Sequence, residues 1–315
     1  MRIFRHYQDI PEGFTGGVVA IGSFDGVHRG HQALMGEARR LAAERNAIFG
    51  VLAFEPHPQE FFRPDSECFR LTPFRTKSRL IAELGADAMF ALPFDATMAA
   101  KTPQDFILDV LVNGLGAGAV VVGADFRFGK GRTGDTAVLG YMGEMEGLGV
   151  TVFPPVDDER HEKISSSRIR AALKEARPEE AARLLGHVWT IESRVERGDG
   201  RGRLIGAPTA NMHVDGYLAP AFGVYAVRAT VMDGDTPSGC HEGVANFGIR
   251  PMFEVARPLL ETHLFDFSGD LYGRHLAVEL VAYLRREAKF GDIDSLKKQI
   301  AADARAARTA LQMRF

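Results

Sequence analysis

Cysteine is almost absent: two residues, Cys68 and Cys240, serve 315 positions. They stand far apart, with no Cys or His at zinc-type spacing beside them, so neither a disulfide framework nor a structural zinc site is expected. Long apolar runs are missing as well, since no stretch of this sequence approaches the ~18 apolar residues that a membrane helix needs. Charge of one sign is lacking too. Against 41 Asp+Glu the chain has 38 Lys+Arg, a formal net charge of −3. No global positive field therefore draws it onto nucleic acid or anionic lipid, and any phosphate binding must be local. The opening Met1-Arg2-Ile3-Phe4-Arg5-His6 leads into a polar stretch, so no export signal is expected and the cytoplasm is the expected location. What is present is an ordinary globular composition, 45% hydrophobic and 25% charged. The length suits about two domains at ~150 residues each.

The first half alternates short apolar runs with helix-like segments, the signature of βα units around a parallel sheet. Val18 to Ile21, Phe49 to Phe54, Ala88 to Leu92 and Val120 to Val122 read as strands. Gln32 to Arg45 carries Leu34, Ala38, Leu41 and Ala42 on one helical face, and Lys77 to Leu84 offers another short helix. After a helix pair, Ser167 to Ala176 and Pro178 to Leu185, the texture changes to alternating strands with glycine-rich turns. Gly223 to Val231, Glu242 to Phe247, Leu259 to Phe267 and His275 to Arg285 read as antiparallel strands of a sheet or barrel. In the last, Leu276, Val278, Leu280, Ala282 and Leu284 are expected on one face, opposite Glu279, Tyr283 and Arg285. From Ile293 onward Leu296, Ile300, Ala304, Ala307 and Leu311 fall at helical spacing, so a closing helix should pack on that sheet. The domain boundary is expected near Leu185 to His187, giving domains of residues 1–185 and 186–315.

The densest motif of the first half is Gly22-Ser23-Phe24-Asp25-Gly26-Val27-His28-Arg29-Gly30-His31, placed after an apolar strand and opening a helix. Free N–H groups and the positive end of the helix dipole favour an anion there. His28 and His31, three residues apart, share one side of the first turn, and Gly30 keeps the backbone low. A lone histidine would read as a cap or a surface residue, whereas the pair with its glycines suits a triphosphate. Two other phosphate loops fail on spacing. Gly123 to Gly131 is one residue too long between its glycines for a Walker A loop, with Gly131 in place of the Ser/Thr. The Gly198 to Gly206 stretch lacks the helix of a dinucleotide fingerprint.

The histidine pair resembles the His-x-Gly-His signature of the nucleotidyltransferase superfamily. Ile164-Ser165-Ser166-Ser167-Arg168-Ile169-Arg170 resembles its Ile-Ser-Ser-Thr-x-x-Arg signature, with Ser167 in the usual Thr position. Taken alone those serines are ordinary helix caps. Phe54-Glu55-Pro56-His57-Pro58 and Val122-Gly123-Ala124-Asp125-Phe126-Arg127-Phe128-Gly129 are similar to internal motifs of the FAD synthetase branch; without that likeness the phenylalanines read as core. In the second half, Gly200 to Asn211 reads either as a glycine-rich hairpin or as a phosphate and cation site in which Thr209 and Asn211 face one way. It resembles the Pro-Thr-Ala-Asn motif of riboflavin kinases. Phe222-Gly223-Val224-Tyr225-Ala226, Gly243 to Gly248, and Glu261 to Phe267 running on to Gly273 extend the likeness in the family's order. Glu261 alternates with Leu259 and Phe265 and is expected on their largely apolar face, either paired structurally or poised as a base. Met252 departs from the family, which has Thr after that Pro.

The chain thus resembles the bacterial bifunctional riboflavin kinase/FAD synthetases from about Gly22 to the final helix. That resemblance implies an α/β nucleotidyltransferase domain (Rossmann-like, parallel sheet) followed by an antiparallel β-barrel domain with a C-terminal helix. It implies AMP transfer from ATP to FMN, giving FAD and pyrophosphate, in the first domain, and phosphorylation of riboflavin to FMN, giving ADP, in the second, both with Mg²⁺. The catalytic residues it implies are Glu261, His28, His31 and Arg168. For ATP and its phosphates it implies Gly22, Phe24, Asp25, Gly30, Ser165, Ser166, Ser167, Gly202, Arg203 and Gly206. For flavin it implies His57, Asp125, Phe126, Phe128 and Asn246, and for the metal Thr209 and Asn211. Nucleic acid and membrane are not expected partners, and oligomeric state is left open. Two alternatives remain at this stage: a single-activity nucleotidyltransferase with a non-catalytic barrel, and a flavin-sensing binding protein without turnover.

Overall fold

A computed structural model describes residues 1–198, 207–233, 236–250 and 257–312. The chain divides into two compact units, residues 1–67 with 72–165 and residues 68–71 with 166–315.

The first unit is a six-stranded sheet built from β1 (Arg2–Phe4), β2 (Val18–Ile21), β3 (Phe49–Phe54), β4 (Ala88–Leu92), β5 (Ala119–Gly123) and β6 (Gly149–Phe153) in the order β1-β4-β3-β2-β5-β6. Every pairing is parallel. Strands β2 and β4 are buried along their whole length, as a parallel sheet covered on both faces requires, which is why they read as unbroken apolar runs. Helices α1 (Arg29–Glu44) and α3 (Phe74–Glu83) cover one face, where Leu34, Met35, Ala38, Ala42 and Ile81 join Val18, Ala20, Val51 and Val121. The other face is packed by a π-helical stretch, Phe106–Val112, and by α6 (Thr136–Met145), through Phe106, Ile107, Val110, Leu111 and Leu139. Each fully buried Val, Leu, Ile or Phe contributes roughly 1.5–3 kcal/mol. The unit also carries the short helices α2 (Pro58–Phe62), α4 (Ala96–Ala100) and α5 (Pro103–Asp105). From β2 the chain winds outward to β3 and β4 on one side and to β5 and β6 on the other. The sheet therefore reverses its strand order between β2 and β5, and in such a sheet the carboxyl ends of those two strands frame the crevice where ligands bind.

The second unit carries α7 (Ser166–Lys174) and α8 (Pro178–Leu185), then a closed barrel. Its strands are β7 (Thr190–Glu196), β8 (Ala210–His213), β9 (Gly223–Asp233), β10 (Thr236–Arg250), β11 (Arg257–Leu264) and β12 (His275–Arg285), ordered β10-β11-β8-β7-β12-β9 with antiparallel neighbours. Helix α9 (Ile293–Gln312) lies on the barrel: Ala307 and Leu311 pack with Val224, Ala226, Val244, Phe265, Val281 and Ala282. The guanidinium of Arg285 grips Asp303 of α9 with two bonds, Nε to Oδ1 at 2.8 Å and Nη2 to Oδ2 at 2.7 Å. The α/β-then-barrel architecture and the closing helix agree with the sequence reading. The alternation expected for β12 does not hold beyond Leu280. A register shift there, and another at Tyr283, places Ala282 beside Val281 under α9, because a bulge moves the following side chains to the other face. No helix among the described residues is long and apolar enough to cross a membrane.

Candidate active sites

The loop leaving β2 is held from within the first unit. Gly22 donates its N–H to Leu52 O at 3.1 Å. Phe24 and Val27 both take left-handed backbone angles, φ 50° and 45°, and both side chains are 1% exposed. Such a conformation is costly for bulky residues and persists where the surroundings over-determine it. Thr72 supplies much of that constraint. Its hydroxyl accepts the Gly26 N–H at 2.9 Å, while its own N–H donates to Asp25 Oδ1 at 3.0 Å. Asp25 is thus a buried brace of the loop, and Phe24 belongs to the core under α1.

His28 is the N-cap of α1, its Nδ1 accepting the His31 N–H at 3.3 Å. With Nδ1 an acceptor, the neutral ring carries its proton on Nε2, a donor. The His28 and His31 rings stack with centroids 3.5 Å apart, and His31 meets the edge of Phe24 at 5.3 Å. A Cβ on Gly30 would come within 3.2 Å of the His28 ring, so any larger residue there would press on that ring. The structure therefore brings together the two histidines, the glycine and the first turn of α1, in an arrangement where ring N–H and backbone N–H groups suit an anion.

Beside it, the loop leaving β5 carries Asp125, Phe126 and Phe128. Asp125 is exposed and accepts a bond from Lys163 Nζ at 2.6 Å; that ammonium holds its carboxyl below the usual carboxylate range. Phe126 stacks on Phe128 at 5.3 Å, and Phe128 is buried against Phe106 at 5.5 Å. Phe106 in turn meets Phe54, which meets Phe94, which meets Phe61 and Phe62. This continuous aromatic wall runs from the β5 loop to α2; the sequence motifs contained its Phe54, Phe126 and Phe128 but not Phe61, Phe62, Phe94 or Phe106. His57 sits at the N-terminus of α2 as a cap: Nδ1 accepts the Gln59 N–H at 3.1 Å, and Glu60 closes a capping box on the His57 N–H. The chain after β6 turns on buried Asp158, whose Oδ1 accepts the N–H groups of Arg160 and Glu162. It reaches α1 through Arg29–Glu159 and the β5 loop through Lys163–Asp125. Ser165 ends the first unit; Ser166, Ser167 and Arg168 form the first turn of α7 in the second, where Arg170 donates to Phe69 O at 2.8 Å.

On the barrel the expected residues form a row across adjacent strands. Asn211 of β8 lies opposite Glu261 of β11, and Glu261 lies opposite Asn246 of β10. Directly opposed side chains on one face are in contact range. With its nitrogen toward Glu261, the Asn211 amide donates to Oε1 at 3.2 Å and its oxygen accepts the Gly198 N–H at 3.2 Å. A Cβ on Gly198 would overlap that amide at 1.9 Å. Asn246 donates to Glu287 Oε1 at 2.9 Å. Thr209, two residues before Asn211, shares its side of the chain, and His263, ring-bonded to Pro208 O at 2.9 Å, steadies the approach. The apolar face expected for Glu261 is not what the barrel provides. Leu260, Thr262 and Leu264 point to the buried side, whereas Glu261 shares its half-buried side with Leu259 and His263 and is flanked by two asparagines. Phe265 lies beyond the end of β11, so it does not extend that face. The opposed partners come from strands distant in sequence, which is why alternation within one strand misjudged the setting.

A cleft of about 480 Å³ opens in the same unit, lined among others by Lys174, Phe222, Tyr283, Arg286 and Glu287. Phe222 stacks on Phe247 at 5.3 Å, and Glu287 links the cleft to Asn246. Gly202, Arg203, Gly206 and Met252 lie outside the described residues. Among the described residues no group of three or more His, Cys, Asp or Glu is arranged to hold a metal. The hydroxyl and amide oxygens of Thr209 and Asn211 are hard donors of the kind Mg²⁺ takes when substrate phosphates supply most of its shell, so these two residues fit that ion.

Residues 11–168 match the FAD synthetase family, and residues 185–311 match the riboflavin kinase family. A bifunctional riboflavin kinase/FMN adenylyltransferase of Escherichia coli (strain K12) is 43% identical over 309 residues, covering 98% of this chain and 97% of that protein. One from Bacillus subtilis (strain 168) is 37% identical, covering 91% and 90%. A crystal structure of a protein from Streptococcus pneumoniae named as a macrolide-efflux protein has the same fold, with a TM-score of 0.86 at 30% identity over 97% of this chain and 98% of that one. With both family matches in one chain and relatives aligned over nearly its full length, the chain belongs to the bifunctional riboflavin kinase/FMN adenylyltransferases.

Proposed function

We propose that the chain makes FAD in two steps on separate frameworks: residues 186–315 phosphorylate riboflavin to FMN, and residues 1–185 adenylylate FMN. The observation that carries this reading is the placement of two motif sets, one at the carboxyl edge of β2 and β5, the other on one row of the barrel. In the first step the terminal hydroxyl oxygen of riboflavin attacks the γ-phosphorus of ATP, its proton passes to a carboxylate oxygen of Glu261, and the bond to ADP breaks. Asn211, bonded to Oε1, keeps that carboxylate oriented. Thr209 and Asn211 would hold Mg²⁺, which neutralises phosphate charge when bound. The flavin ring stacks at the cleft beside Phe222, with Asn246 held by Glu287 as a polar contact.

In the second step a phosphate oxygen of FMN attacks the α-phosphorus, and the bond to pyrophosphate breaks. His28, His31, Gly22, Gly30 and the first turn of α1 meet the triphosphate, and the Phe126 end of the aromatic wall the flavin ring, with His57 and Asp125 at its edges; the departing pyrophosphate falls to Ser165, Ser166, Ser167 and Arg168 on the strength of the family resemblance alone. Positioning and charge stabilisation suffice for both transfers, with no covalent intermediate on the protein. The reading puts this enzyme in the cytoplasm. A chromatographic time course tests it: riboflavin with ATP gives FMN and then FAD, and FMN with ATP gives FAD. A preparation making FAD but no FMN would reduce the barrel to a scaffold, and one making neither would leave a binding protein.

A further inference from the structure

Helix α3 buries an ammonium group where none of the recognised motifs lies. Lys77 has a side chain only 3% exposed, with Nζ 3.4 Å from Ser23 O and 3.7 Å from Glu55 Oε2. Ser23 belongs to the loop leaving β2 that ends in His28 and His31, and Glu55 is the first residue after β3, on the path to His57. One buried cation thus ties together the loops at the carboxyl ends of two neighbouring parallel strands. The same segment of chain supplies Thr72, the brace on Asp25 and Gly26. Burying a lysine is unfavourable unless it is paired, and an apolar residue of equal volume would pack there at less cost, so a charge at this place points to geometry rather than stability.

We infer that Lys77 is a positioning residue for adenylyl transfer: through Ser23 O and Glu55 it sets the spacing between the triphosphate loop and the acceptor-side segment. The inference rests on the reading of the His28–His31 loop as the triphosphate site. Attack on the α-phosphorus demands close alignment, and a misplacement of ~1 Å costs about a hundredfold. The β2–β3 ladder, extended by the Gly22 N–H bond to Leu52 O, fixes the strand ends themselves, and the Lys77 link acts just beyond it, where Ser23 and Glu55 leave the sheet.

The test uses the full chain with Lys77→Met, Lys77→Arg, Glu55→Gln and the double variant Lys77→Met/Glu55→Gln. FAD formation from FMN and ATP is measured per ATP site titrated, with riboflavin kinase turnover in the same sample as the folding control. Lys77→Met should lower kcat for FAD formation by about ten- to a hundredfold with little change in KM for ATP. Lys77→Arg should recover part of the loss, and the double variant should be no worse than the poorer single one, because both break the same link. If Lys77→Met does not fold, Glu55→Gln carries the test, with the same fall in kcat. Wild-type kcat in Lys77→Met or in Glu55→Gln, or losses that add in the double variant, would overturn the inference. His28→Ala run alongside separates the two ideas: loss of FAD formation there with wild-type kcat in Lys77→Met removes only the role of Lys77, whereas wild-type kcat in both removes the triphosphate site itself.

Discussion

The parallel sheet and the barrel build their sites in opposite ways. In the first unit the candidate side chains stand on loops and on a first helical turn, at the ends of strands that are almost wholly core. In the second they stand on strand faces, held by the neighbouring strand across the ladder. A loop site gathers residues adjacent in sequence, such as His28, Gly30 and His31, while a strand-face site gathers Asn211, Glu261 and Asn246 from three strands by register alone. Damage should differ accordingly: a substitution at one unit's site should leave the other unit's reaction untouched.

Glu261→Gln is the sharpest test of that separation. It keeps the row's shape but removes the base, so kcat for FMN formation should fall by about a hundred- to ten-thousand-fold, while FAD formation from supplied FMN persists. Both rates are measured in one preparation, and wild-type kinase turnover would end the base assignment. His28→Ala or His31→Ala is the mirror case. Each removes one donor to developing phosphate charge and should cost about a hundredfold in FAD formation with FMN formation nearly unchanged; equal loss of both activities would mean that the units are not functionally separate.

Stability offers a finer comparison. Asp303→Ala leaves Arg285 without its bidentate partner and should destabilise the barrel by about 2 kcal/mol. That lies below the usual cost of breaking a fully buried pair, since the guanidinium keeps a quarter of its surface. Denaturant unfolding followed at Trp189, the single tryptophan, buried at the start of the barrel, reports it. An unchanged transition midpoint would show that α9 docks without help from this pair.

The smallest effect concerns the β5 loop. Lys163 depresses the Asp125 pKa in the folded chain, so the pair's contribution is present above the ordinary Asp value of about 3.9 and is lost as pH falls through the depressed folded value. Asp125 is largely exposed, so solvent screening limits that contribution to under ~1 kcal/mol. Asp125→Asn should therefore lower stability slightly at neutral pH and not at all below the folded pKa. A difference that grows on acidification would contradict the pairing. A fragment study probes the boundary itself. Helix α8 buries Ala181, Leu184 and Leu185 in the second unit, and Leu173 O accepts the Ala221 N–H at 2.9 Å. Residues 166–315 should therefore make FMN with higher stability than residues 186–315, compared by thermal unfolding and kinase assay.

Much of this protein is decided locally. Apolar runs of four to six residues alternating with helical segments fit buried parallel strands, and β2, β3 and β4 fall where those runs lie. The His28–His31 turn, the Pro208-Thr209-Ala210-Asn211 segment and Glu261 stand out in the sequence as candidates, because each sits in a short distinctive stretch. Edge strands β1 and β6 were not, being short or only partly buried, and β7 mixes polar with apolar residues on a wall closed by other strands. Only the tertiary structure decided that the loops after β2 and β5 share one crevice, because strand order is set by packing of distant segments. It also decided that Glu261 faces two asparagines rather than an apolar surface, since register across a barrel is a property of strand pairs. The buried Lys77 belongs to the same class: on α3 it reads as an ordinary polar helix residue, and its tie to Ser23 and Glu55 exists only once β2 and β3 lie side by side.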